Sequence, residues 1–185
     1  MIRQHLKAPL LLALASLLLA ARPLVAGEPL GTDLFGGYSY LKLDESSRHG
    51  ANLAVGFRAF GPVAGFVDVS SHWGSEEGVR LNDVTLMAGP GVRFGKRDGT
   101  LFFVRALAGL VQDKGTVSVF DVDISETDSR FGVLAGGGVD FRVTKKLAAR
   151  VQADYLWNDV SDSVASSSSG FRVSAGVVYR FGIAP

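Results

Sequence analysis

The sequence predicts an all-β chain: an eight-stranded antiparallel up-and-down transmembrane β-barrel that follows a cleaved signal peptide. Three observations carry this expectation. Beyond residue 30 the apolar residues recur with a period of two, and no segment shows a helical stripe. The connections between the alternating segments are short and long by turns, as an up-and-down meander requires. Aromatic residues gather near the segment ends, where a membrane barrel carries its interfacial girdles.

Residues 1–26 read as the signal peptide. Arg3 and Lys7 make a positive start, and the uncharged run from Ala8 to Ala21 is shorter than the roughly 20 residues a membrane-crossing helix needs. Cleavage after Ala26 or Gly27 fits, which leaves residues 27–185 as a single barrel domain. Composition narrows the function further. Cys is absent, which excludes a disulfide framework, a thiol nucleophile, lipid attachment at an amino-terminal Cys and Cys-based metal sites. Losing Arg3, Lys7 and Arg22 with the leader leaves 16 of the 19 basic residues against 18 acidic ones, so no positive excess exists to hold nucleic acid.

The strands follow in order. The first spans about Asp33 to Leu43, and its phase is open because Tyr38 and Tyr40 fit either face. In the second, Leu53, Val55 and Phe57 oppose Asn52, Gly56 and Arg58. In the third, Val63, Val67, Val69 and Trp73 oppose Asp68, Ser70 and His72, and in the fourth Val84, Leu86, Ala88, Val92 and Phe94 oppose Asp83, Thr85 and Arg93. Phe102, Val104, Ala106, Ala108 and Leu110 stand against Phe103, Arg105 and Gly109 in the fifth. The sixth sets Phe131, Val133, Ala135, Gly137, Val139 and Phe141 against Arg130, Gly136, Gly138, Asp140 and Arg142. The seventh sets Leu147, Ala149, Val151, Ala153, Tyr155 and Trp157 against Arg150, Gln152, Asp154 and Asn158. The eighth is the clearest, with Phe171, Val173, Ala175, Val177, Tyr179 and Phe181 against Arg172, Ser174, Gly176, Val178 and Arg180. Each is about 10–13 residues long, enough for a tilted crossing of about 9–11. Tight turns are expected at Gly61-Pro62, Lys96 to Gly99 and Thr144 to Lys146, and longer polar loops at Asp44 to His49, Gly74 to Val79, Lys114 to Asp128 and Asp159 to Ser169.

An antiparallel meander of this size closes with its apolar face either inward around a ligand or outward to lipid. A soluble barrel would have to bury most of seven arginines, so the outward choice is favoured. With its signal peptide, eight alternating strands, short turns at one end and aromatic last strand, the chain resembles the small bacterial outer-membrane barrels of the OmpA and OmpX type. The likeness covers residues 31–181. Its sharpest element is Ser174-Ala175-Gly176-Val177-Val178-Tyr179-Arg180-Phe181, similar to the terminal-strand signal read by the barrel-assembly machinery, with Gly176, Tyr179 and Phe181 as its marks. The departure is Gly182-Ile183-Ala184-Pro185, since such chains usually end on the aromatic itself. The resemblance implies an outer-membrane location in a Gram-negative-type bacterium, reached through the periplasm. It also implies short turns facing the periplasm, contact with outer-membrane lipid and lipopolysaccharide, a monomer, and no cofactor. The peptidoglycan-binding activity of longer OmpA-type proteins is not carried over.

The expected inward charges are Arg58, Arg93, Arg105, Arg142, Arg150, Arg172 and Arg180 against Asp68, Asp83, Asp140 and Asp154. An interior of eight strands is just wide enough for side chains, so these charges read as a plug of ion pairs in which each acid meets an arginine. A gated, weakly anion-preferring pore lined by surplus arginine is the alternative. His72 with Ser75, Glu76 and Glu77 near the long-loop rim suggests a third class, acyl transfer on lipid A, although the spacing matches no motif of the barrel deacylases. Gly136-Gly137-Gly138 and Gly89-Pro90-Gly91 read as strand kinks or bulges, not phosphate loops. The loop from Lys114 to Asp128 keeps alternating, so its flanking strands are expected to run on as a hairpin. Its acidic tip, Asp121, Asp123, Glu126 and Asp128, is a candidate cation site, with a solvated repulsive edge as the plainer reading. The function expected is a small non-enzymatic barrel with a structural or surface-interaction role.

Overall fold

The computed structural model describes residues 31–43, 46–76, 79–96, 99–119, 122–159 and 168–181. The signal-peptide region lies outside them, as do Asp121 and the terminal residues 182–185. Every element is a strand: β1 Thr32–Leu43, β2 Ser46–Phe60, β3 Val63–Glu76, β4 Val79–Gly95, β5 Thr100–Val119, β6 Val122–Arg142, β7 Leu147–Asp159 and β8 Ser168–Phe181. Each pairs antiparallel with its neighbour in sequence, and β1 pairs with β8 to close the barrel.

Alternation decides the faces, and it settles the phase of β1. Asp33, Phe35, Ser39, Leu41 and Leu43 point inward, whereas Tyr38 is 54% exposed on the outside. The outer face carries Phe57, Trp73, Phe94, Val104, Leu110, Phe131, Val151, Trp157, Phe171 and Val177, all open to the surroundings. An apolar surface of this extent is not left bare in water, but it suits lipid. Its height fits too. Phe131 and Phe141 stand ten residues apart on β6, as do Phe171 and Phe181 on β8. At about 3.4 Å per residue and a tilt near 45°, ten residues rise about 24 Å, close to the roughly 25 Å apolar band of outer-membrane barrels.

Three expectations need correction. The strands run from 12 to 21 residues, longer than alternation alone marked out. Pairing continues to Leu43↔Ser46 and Glu76↔Val79, so the first two supposed long loops are mostly strand. The glycine run Gly136 to Gly138 is not a bulge, because its register with both β5 and β7 is unbroken. At Gly89 and Pro90 the ladder to β5 skips two rungs and resumes in the same register, as the missing proline N–H dictates. A register shift occurs instead between Arg58 and Phe60, beside the tight turn where Gly61 takes a positive φ of 54°.

The third hairpin on the long-connection side is the longest among the described residues. The β5–β6 ladder reaches Val119↔Val122, while β6 meets β7 only from Phe131↔Asp159 downward. Among the described residues, residues 122–130 of β6 therefore have only β5 as a strand neighbour. On the other side, β4 accompanies β5 as far as Arg80↔Thr116.

Candidate functional site

The interior is where the chain concentrates its buried chemistry. At mid-strand, Asp68 of β3 and Asp154 of β7 face Arg105 of β5 and Arg172 of β8. Arg172 gives Nη1 to Asp68 Oδ1 at 2.9 Å and Nη2 to Asp154 Oδ2 at 2.8 Å. Arg105 gives Nη2 to Asp154 Oδ2 at 2.9 Å and lies 3.1 Å from Asp68 Oδ2. The square is extended by Gln152 Nε2 donating to Asn52 Oδ1, by Asn52 Nδ2 donating to Asp68, and by Ser70, which joins Arg172 to Thr85. Side chains of β2, β3, β4, β5, β7 and β8 are thus tied together across the lumen.

Toward the tight-turn end a second set forms. Arg150 makes two hydrogen bonds to Asp140, at 2.6 and 2.9 Å, and Arg180 reaches the same carboxylate at 3.4 Å. Arg93 donates to Asp33 at 2.6 Å. Toward the other end, Arg48 pairs with Asp83. Arg58 does not join: it lies on the inward phase but at the mouth of the barrel, beside the register shift, and is exposed. Arg142, at the end of β6, gives Nε to the Thr144 carbonyl in the turn.

Between the charged sets lie apolar residues, of which alternation had set only Phe103 and Val178 on the inner face. Phe66 and Phe103 stack with centroids 5.6 Å apart, packed with Met87, Leu107 and Leu134 in one buried cluster. Phe35, Ala54, Ala148 and Val178 form another. The arginines lie over these rings, Arg150 at 4.5 Å from the Phe103 centroid and Arg93 at 5.0 Å from that of Phe66. Glycine makes the room. A Cβ on Gly138 would sit 2.8 Å from Phe103, and one on Gly91 2.6 Å from Phe66.

Asp33, Arg48, Ser39, Phe35 and Phe66 are among the interior residues that sequence reading missed, whereas Phe103 had been set on the inner face. The signal was present: Phe66 stands two before Asp68, so it shares the face of a charge already assigned to the lumen. His72 is also misplaced by the rim reading. It is fully buried, and its Nε2 meets Ser39 Oγ at 2.9 Å, to which Ser174 also donates. The side chains of Ser75, Glu76 and Glu77, its supposed partners, lie outside the described residues, as do those of the candidate cation site, Asp121, Asp123, Glu126 and Asp128. Among the described residues no group of three or more acids and histidines is placed to hold a metal ion. The terminal-strand residues Tyr179 and Phe181 face outward as an edge-to-face pair, 4.7 Å apart. Gly176 backs against Gly37 at the β1–β8 seam, where a Cβ would come within 2.4 Å of the opposing Cα.

Residues 11–181 match the family described as the outer membrane protein beta-barrel domain. No curated protein matches the chain. Among solved structures, the chain is similar to the neisserial surface protein NspA, with a TM-score of 0.62 at 14% identity over 82% of this chain and 97% of that one. It is similar to Ail, the attachment invasion locus protein of Yersinia pestis, with a TM-score of 0.57 at 20% identity over 84% of this chain and all of that one. The amino-terminal barrel of OprF from Pseudomonas aeruginosa gives a TM-score of 0.53 at 15% identity, covering 84% and 100%.

Proposed function

This chain belongs to the outer-membrane protein β-barrel family, and from that premise we propose a non-enzymatic barrel that sits in the outer membrane and works by its surface. Its short turns face the periplasm and its long strands face outward. The observation that carries this reading is the occluded lumen under a raised hairpin. The interior is filled by ion pairs and stacked rings, which supports a plug over a conduit. The arginine surplus that would favour an anion pore is small, because Asp33, Asp68, Asp83, Asp140 and Asp154 each meet an arginine. The burial of His72 against two serines argues against its use in acyl transfer at the rim. What remains open to partners is the outer surface, the lipid belt and the β5–β6 hairpin. Lipopolysaccharide and outer-membrane lipid are the partners in the membrane; the barrel-assembly machinery, reading Gly176, Tyr179 and Phe181, is the partner during insertion; and the barrel acts as a monomer.

Two measurements on the same preparation test it. The protein is expected in the outer-membrane fraction, with a heat-dependent gel shift, and to give no steady conductance in planar bilayers. Stable channels would replace this reading with the pore, and recovery in the soluble periplasm would remove it.

A further inference from the structure

We propose that Lys42, Ser47 and His49, framed by Tyr38, Tyr40 and Trp73 on the lipid-facing wall, bind the phosphorylated sugar headgroup of an outer-leaflet glycolipid. The inference rests on the outer-membrane reading above and gives its lipid partner a site.

The sequence puts a cation where the belt expects an apolar residue. Leu41 and Leu43 are buried in the lumen, so alternation turns Lys42 outward, where it is exposed. Lys42 and Ser47 are partners on one rung of the β1–β2 ladder, and Tyr40 and His49 are partners on the next rung of the same face. Those rungs lie about 7 Å apart. The tyrosines orient the donors. The Tyr38 hydroxyl meets His49 Nδ1, which holds the ring with Nε2 as its other polar atom. Tyr40 donates to Ser47 Oγ at 2.9 Å, which leaves the serine hydroxyl free to donate in turn. An ammonium, a hydroxyl and an imidazole nitrogen therefore share one outward patch.

Depth and neighbours identify the ligand. Lys42 is in register with Phe171 of β8, Tyr40 with Val173, and His49 with Trp73 of β3, so at these three positions the adjoining strands bring apolar and aromatic side chains; the acids Asp44 and Glu45, which follow in the chain, lie outside the described residues. Tyr38, Trp73 and Phe171 are exposed aromatics at the long-strand rim, the level at which amphipathic rings meet headgroups. From β1 to β3 the patch is about 10 Å wide. That breadth exceeds a lone phosphodiester and suits a sugar that carries phosphate, with ring faces against the sugar and donors on the anion.

The test uses Trp73 as reporter in a Trp157→Phe background, since these are the two tryptophans of the chain. The barrel, refolded in zwitterionic micelles, is titrated with bis-phosphorylated lipid A, with dephosphorylated lipid A and with phosphatidylglycerol. A saturable change is expected with the phosphorylated glycolipid alone. The Lys42→Gln/His49→Gln variant is expected to weaken it by about tenfold or more, the loss of a charge-assisted hydrogen bond, while Lys42→Arg retains binding. A heat-dependent gel shift checks that each variant is folded. Equal affinity in the double variant, or equal binding of phosphatidylglycerol, overturns the site. A barrel that fractionates with the outer membrane yet fails these titrations overturns the site alone; a barrel missing from that fraction overturns the reading beneath it.

Discussion

Asp154, like Asp68 and Asp140, meets two guanidinium groups at once, and this makes it a point of failure in the interior. Removing one partner of a buried ion pair leaves an uncompensated charge, at a cost of about 3–5 kcal/mol, even though the intact pair contributes little net stability. Asp154→Ala strands Arg105 and Arg172 on Asp68 alone. It is expected to lower the unfolding free energy by that amount in urea titrations of refolded protein, whereas Arg58→Ala, at the exposed mouth, changes it little. Equal effects would mean that the mid-strand square does not hold the barrel. The same comparison shows what single residues reveal to a reader of sequence. Arg105, Arg150 and Arg172 were legible as lumen charges because each interrupts an apolar alternation. Phe66 was not, because hydrophobicity alone points a phenylalanine toward lipid in a membrane barrel. Only the phase shared with a neighbouring charge turns it inward.

Among the elements, β5 and β6 separate the part that closes the barrel from the part that rises above it. All eight strands were legible from period two, and so was their up-and-down order. Strand ends were not, because the residues from 46 to 49 and from 74 to 76 are polar enough to read as loop, yet their backbones continue the ladder. The phase of β1 was also closed to sequence reading: Tyr38 and Tyr40 suit either face, and the pairing of β1 with both β2 and β8 decides it. The raised hairpin is expected to be dispensable for folding. Replacing residues 117–124 with Asn-Gly, and so closing the Thr116↔Ser125 rung with a two-residue turn, removes only pairs that no described residue of β4 or β7 joins. The shortened chain is expected to keep its heat-dependent gel shift and its urea midpoint. Loss of either would make the hairpin part of the folding unit.

For the whole molecule, orientation is the property on which any surface role depends. The tight turns carry Lys96, Arg97, Lys145 and Lys146, which are good tryptic sites if accessible. With these turns in the periplasm, trypsin added to intact cells is expected to spare all four, and mass spectrometry is expected to find them cut once the outer membrane is opened. Cutting at Lys96 or Lys145 in intact cells would invert the topology and with it the surface role.

The unequal strand lengths give the molecule a front and a back. At 17, 20 and 21 residues, β4, β5 and β6 stand well above β1, β2, β7 and β8, at 12 to 15. The extra length is gathered along one arc of the circumference. Among the described residues, a neighbour drifting in the plane of the membrane would thus meet a parapet from one direction and a lower lip from the other. At the far margin of that parapet, nine residues of β6 have no strand partner on the β7 side among the described residues. Encounter is therefore a matter of bearing as well as proximity: a partner taller than the lip must approach across β7, β8 and β1, and two copies of the barrel bring their margins together only after one has turned about its own axis.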